Sequence, residues 1–182
     1  MATRPLLLGL VAVSVVLAAG CSPDKPKSMT TSSPAVVPSA TPSLGVTDAA
    51  ERDALAAYRG MWATFVEAGK TSDAEAPGLP KYASDQALKL IVSSLYTDHE
   101  LRRVSKGEVK IDPQVTALKP TAAPTEATIT DCVNDEKWLR YKESGGLVDN
   151  VPGGKHRTTA TVKRTADGWK VASFILKEKG TC

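Results

Sequence analysis

From Asp48 onward the apolar residues Leu55, Tyr58, Trp62, Phe65 and Val66 recur at three- and four-residue intervals, the spacing that lines one face of a helix. Asp48 and Glu51 occupy the N-cap and N3 positions of a capping box, and Gly69 offers a left-handed stop, so the pattern predicts a helix over 48–68. Pro77-Gly78-Leu79-Pro80 then breaks the chain and leaves room for one short helical turn before Tyr82. A second long helix starts at Ser84 or Asp85 with Leu88, Ile91, Val92, Leu95 and His99 on its apolar stripe. It ends before Gly107, with Arg102-Arg103 as its solvated end. Beyond Gly107 the period changes to two, and Val109 with Ile111, Val115 with Leu118, Thr128 with Thr130, and Trp138 to Lys142 read as strands. Pro113 and the run Pro120 to Pro124 interrupt pairing. Thr158–Thr165 and Trp169–Lys177 form a hairpin about Asp167-Gly168, and Ser144–Lys155 reads as the tip of a wide hairpin. Helices followed by a meander of antiparallel strands define an α+β class, with the N-terminal helices packed on one sheet.

The chain opens differently, on an apolar run from Leu6 to Ala18 behind a single cation, Arg4. About 13 apolar residues fall short of the roughly 20 needed to span a bilayer as a helix, which makes residues 1–20 a cleaved export signal. Its end, Ala18-Ala19-Gly20-Cys21, resembles the lipobox of bacterial lipoprotein precursors, with the branched residue one position upstream at Leu17 and Ala18 in its usual place. The resemblance implies that Cys21 becomes the mature N-terminus and carries a diacylglycerol thioether and acyl chains such as palmitate. Two chains give stable anchoring where one gives only marginal binding. The expected address is the extracytoplasmic face of the cell membrane, with the membrane itself as the first partner. Pro, Ser and Thr supply 14 of the 25 positions from Ser22 to Val46, so residues 21–46 read as a lipidated cysteine and a disordered tether. Its root-mean-square reach is on the order of 25–30 Å. Residues 47–182 then form a single α+β domain.

The formal net charge is +3, yet setting aside the three cations and one acid of residues 1–46 leaves 20 Lys and Arg against 19 Asp and Glu. Such a balance gives no basic field for nucleic acid. With Cys21 assigned to lipid, Cys132 and Cys182 remain as an even pair in an oxidising compartment, and their disulfide would contribute about 4 kcal/mol in the chain-entropy model. The order of elements, the tryptophan after Thr130-Asp131-Cys132, the hairpin Asp167-Gly168-Trp169-Lys170-Val171 and Cys182 together resemble the nuclear transport factor 2-like (cystatin-like) fold. More narrowly, they are similar to exported, lipid-anchored actinobacterial members of mostly unassigned function. That resemblance implies a curved antiparallel sheet closing a cone against the helices. Some members use the cavity for isomerase, dehydratase or cyclase chemistry built on an Asp/His or Asp/Tyr pair.

Candidate site residues are few. Tyr58, Trp62, His99 and Trp138 are placed as possible pocket lining, with core packing as the alternative for the aromatics and a hydrogen-bonded core edge for His99. His156 reads as an exposed strand start, and Asp131, Asp135 and Glu136 as turn acids. Gly153-Gly154-Lys155-His156 lacks the spacing of a phosphate loop, no Cys/His spacing suits zinc, and no cofactor is expected. The reading is a membrane-anchored module that binds a protein or small ligand. A small isomerase, dehydratase or hydrolase using the cavity, and a structural subunit of an envelope or secretion assembly with an exposed apolar sheet face, are its alternatives.

Overall fold

The computed structural model describes residues 45–182. The expected export signal, Cys21 and the tether through residue 44 lie outside them. Three helices, α1 (Val46–Gly69), α2 (Leu79–Tyr82) and α3 (Asp85–Glu100), precede six strands: β1 (Arg103–Lys106), β2 (Gln114–Lys119), β3 (Glu126–Asn134), β4 (Leu139–Lys142), β5 (Lys155–Thr165) and β6 (Gly168–Leu176). The α+β class read from the periodicity change is the one the chain adopts. Tyr58, Met61, Trp62 and Phe65 of α1 and Ile91 and Leu95 of α3 pack with Ile129, Val133, Val162 and Val171 of the sheet in one core. Each such side chain, fully buried, contributes about 1.5–3 kcal/mol.

The helix ends differ from the expectation. The Ala49 N–H donates to the Gly45 carbonyl at 3.0 Å, so the helical ladder is already running when it reaches Asp48, and no side chain caps α1. Gly69 belongs to the helix, and Lys70 follows with φ −64°. Space explains this glycine better than backbone freedom does: a Cβ there would stand 3.2 Å from Trp138 Cζ2 and 3.3 Å from Ser105 Cβ. Gly69→Ala is therefore expected to destabilise the fold by about 1–3 kcal/mol through overpacking. Urea titration would measure it, and an unchanged midpoint would dismiss the close fit. On α3 the buried stripe is Ala87, Ile91, Leu95 and Asp98, and His99 is exposed. The expected stripe was turned by one residue, because an acid at 98 hid the i+7 position from Ile91.

Four strands form one antiparallel sheet in the order β2-β3-β5-β6, and β1 pairs with β4 in a separate two-stranded sheet. Two expectations fail here together. Arg102 adopts φ 51° and reverses the chain, so Arg103–Lys106 is a strand and not a helix end. Since β4 pairs with β1 and not with β5, residues 143–154 are not the tip of a wide hairpin: they turn back tightly on β4, where Tyr141 bridges Leu147 and the Val148 N–H donates to the Arg140 carbonyl, and then lead to the large sheet. Gly107, at φ +111°, turns the chain out of β1 where a Cβ would strike the Lys137 carbonyl oxygen. Around Val109 and Ile111 only Lys110 pairs, with Asn134, and β2 starts after Pro113.

Two bulges adjust the faces. The register shifts between Val115 and Ala117 and between Thr161 and Val162. The second accounts for Val171 and Ala172 being buried side by side, since an extra residue on β6 resets its alternation. The outer edge of β6 is covered by the start of α3: Ser84 N–H donates to the Val171 carbonyl at 2.9 Å and Phe174 N–H to Gln86 Oε1 at 3.1 Å. A disulfide joins Cys132 on β3 to Cys182, with Cα atoms 5.9 Å apart. The intervening tail lies along β5, where the Arg157 N–H donates to Thr181 Oγ1 at 2.8 Å and Gly180 N–H to the Lys155 carbonyl at 2.8 Å.

Candidate functional site

Alternation along β3 puts Ala127, Ile129, Asp131 and Val133 on the core face. Asp131 is thus a carboxyl in an apolar row, and α1 supplies its partner: Tyr58 Oη donates to Asp131 Oδ2 at 3.0 Å while the Asp112 N–H donates to Oδ1 at 2.8 Å. Burial pushes the Asp131 carboxyl above the ordinary carboxylate range, only partly offset by the Asp112 and Tyr58 hydrogen bonds. Burial, then the nearby Asp131 charge, pushes the Tyr58 phenol upward as well. This is an acid–phenol pair in a dry environment, but it is enclosed. Tyr58 is 0% exposed and Asp131 7%, with Trp62 edge-on to Tyr58 at 6.5 Å between ring centres and Phe174 beyond it at 5.9 Å from Trp62. The pair is packed within the core. The reading of Asp131 as a turn acid is corrected by its place in the middle of a strand.

Open polar chemistry is found elsewhere. A cleft of about 250 Å³ is walled by Ser105 of β1, Arg140 of β4, Asp135 and Trp138 of the β3–β4 turn, and Asp149 and Val151 of the β4–β5 connection. The turn is closed by Trp138 N–H donating to the Asp135 carbonyl at 2.9 Å, which fixes the indole beside the small sheet. The indole is half-buried, edge-on to Phe65 at 5.0 Å. Asp135 Oδ1 accepts the Gly154 N–H at 2.7 Å and stands 3.2 Å from His156 Nε2, at ion-pair distance without hydrogen-bond alignment. His156 Nδ1 faces the Lys177 carbonyl at 2.8 Å and, since a carbonyl only accepts, carries its proton. The imidazole is only 14% exposed, contrary to expectation, because position 156 shares the core-side alternation of Thr158, Ala160 and Val162. It ties the cleft wall to the C-terminal tail.

The four aromatic and histidine candidates do not converge. Tyr58 and Trp62 are core side chains, Trp138 lines the cleft, and His99 borders a separate hollow of about 560 Å³ with Tyr96, Ser72 and Glu100. Among the described residues no group of three or more His, Cys, Asp or Glu side chains is arranged to hold a metal ion. The outer sheet face presents Thr128, Thr130, Thr159 and Thr161 in facing pairs. Those hydroxyls stand where an assembly subunit was expected to show an apolar surface. Ser105, Arg140, Asp149 and Val151 were not singled out from sequence, since their meeting depends on β1 pairing with β4. Asp131 did have a signal: it is the one charged residue in the alternating row 127–133.

Fold and site together define, among the described residues, an α+β unit of three helices and two antiparallel sheets, with a polar cleft at the smaller sheet. No family model matches the chain, and no curated protein matches it. Among solved structures it is similar to the intermembrane space region of the chloroplast protein ARC6, at 16% identity over 71% of this chain and 97% of that one, with a TM-score of 0.48. Two Nostoc punctiforme proteins of unknown function with a cystatin-like fold are also similar. One has 14% identity over 74% of this chain and 80% of its own, with a TM-score of 0.43. The other has 11% identity over 76% and 97%, with a TM-score of 0.44. At these values the likeness carries neither family nor activity to this chain.

Proposed function

We propose that the protein is a lipid-anchored extracytoplasmic binding module, of the kind exported by actinobacteria, which holds its ligand at the cleft beside Trp138. The observation that carries the binding reading is the contrast between an enclosed acid–phenol pair and an open cleft with unspent donors and acceptors. An enzyme built on the Asp/Tyr pair of this scaffold would need that pair to face a substrate-sized space, and Tyr58 with Asp131 face the core. Anchoring is supported by Ala18-Ala19-Gly20-Cys21 and by the Cys132–Cys182 bridge, which suits an oxidising compartment.

Intact mass and detergent-phase partitioning test the anchor. The wild-type mature chain is expected to begin at Cys21 with a diacylglyceryl mass and to enter the detergent phase. Cys21→Ser should give an uncleaved or released protein without that mass. A Cys21→Ser protein that stays membrane-bound at the wild-type size would refute it.

A further inference from the structure

We infer that the cleft takes a neutral polyhydroxylated ring, one saccharide unit, seated against Trp138. This rests on the binding-module reading and gives it a ligand class. Ser105 is 5% exposed, lines the cleft, and makes no side-chain hydrogen bond among the described residues. Trp138 Nε1, on the neighbouring side chain, is buried and likewise has no partner among them. Buried polar groups are paired as a rule, so the unpaired Ser105 hydroxyl marks a place that a ligand oxygen would complete, whereas Trp138 Nε1 is sealed from solvent with its ring edge packed toward Gly69 and Ser105.

The rest of the wall decides which ligand. Asp135 and Asp149 each spend Oδ1 on a backbone N–H, of Gly154 at 2.7 Å and of Val151 at 3.0 Å, and neither Oδ2 has a hydrogen-bond donor among the described residues. Arg140 directs Nε at Asp98 Oδ2, 3.4 Å away, and its side chain stands between this cleft and a neighbouring hollow that Asp98 lines. An anion would meet Arg140 but also two carboxylates, and an ammonium would meet the carboxylates but also a guanidinium. A neutral polyol supplies hydroxyls that donate to the carboxylates and accept from Arg140 and Ser105. Its C–H face has the indole and Val151, 69% exposed, to rest on. About 250 Å³ is room for one six-membered ring.

The test is a titration of the mature, isotopically labelled chain in detergent, following the indole N–H signals of its three tryptophans. Trp138→Phe identifies the Trp138 signal. Glucose, mannose, N-acetylglucosamine and arabinose are the sugar probes, with glycine, inorganic phosphate and ethylammonium as zwitterion, anion and cation probes. At least one sugar is expected to move the Trp138 signal saturably while leaving Trp169 in place. Ser105→Ala and Asp149→Asn, each deleting one polar contact at a site tolerant of the change, should weaken binding about three- to tenfold. The inference is overturned if no sugar moves the signal of the folded protein, or if sugar affinity is unchanged in both variants. Saturation by glycine, phosphate or ethylammonium in place of sugar would overturn the ligand class and leave the binding module standing. A chain that binds sugar but carries no lipid on Cys21 would keep this inference and remove the anchor.

Discussion

Replacing Cys132 and Cys182 together with serine, or reducing the native chain, is expected to lower the unfolding free energy by about 4 kcal/mol. The bridge closes a stretch with a sequence separation of 50, and the stabilisation comes from the entropy the unfolded chain loses when that loop is closed. The tail it holds is otherwise kept by single hydrogen bonds: Lys177 N–H to the Arg157 carbonyl, His156 Nδ1 to the Lys177 carbonyl, Lys179 Nζ to the Pro152 carbonyl, Gly180 N–H to the Lys155 carbonyl, and Thr181 with Arg157. Denaturant titrations with and without reductant measure the loss. Hydrogen exchange should locate its first effect at the Arg157 and Gly180 amides, before the core strands open. Equal midpoints in the two conditions would show that the bridge restrains nothing. A secondary effect follows at the cleft, because the freed tail takes the Lys177 carbonyl away from His156 Nδ1.

Tyr58→Ala should destabilise by about 3–5 kcal/mol, the usual cost of emptying a large aromatic site in a core. It also removes the donor to Asp131 Oδ2, so Tyr58→Phe, which keeps the ring, should still cost about 1–3 kcal/mol. Asp131 gives the pair a pH signature. Its carboxyl is raised in the folded chain by burial, so the native state holds the proton more tightly than the unfolded state does. Stability from this group is complete below the unfolded carboxyl value, about 3.9, and is lost as pH rises through the higher folded value. Asp131→Asn cannot ionise and should lack that decline, so the wild-type curve falls relative to the variant from about pH 4 upward. Parallel curves for the two proteins would contradict the burial argument.

Helix and strand identity were legible because periodicity is local: α1, α3, β3 and the β5–β6 hairpin all lie close to where the spacing puts them. Pairing was less so. Arg103–Lys106 is too short and too basic to announce a strand, and its partner Leu139–Lys142 is more than thirty residues away, so the small sheet and the cleft on it were invisible. The apolar spacing puts His99 on the buried stripe, one helical position from the residue that is buried, because that residue, Asp98, is an acid and carries no apolar signal. Asp131 was misread for a related reason. The bend expected around an Asp beside a cysteine outweighed an alternation that, read strictly, placed the acid inward.

The α3 cover over β6 has a consequence for crowding. A bare strand edge is a template on which another copy can pair, and tethering to a surface would raise local concentration enough to favour such pairing. Here the Val171 carbonyl and the Phe174 N–H, two of the groups through which a new strand would dock, are already taken by Ser84 and Gln86. At the opposite edge β2 is bracketed by Pro113 and Pro120, neither of which can donate to an incoming strand. The β6 edge is thus closed by its own chain, and the two prolines confine an added strand at β2 to the short stretch between them.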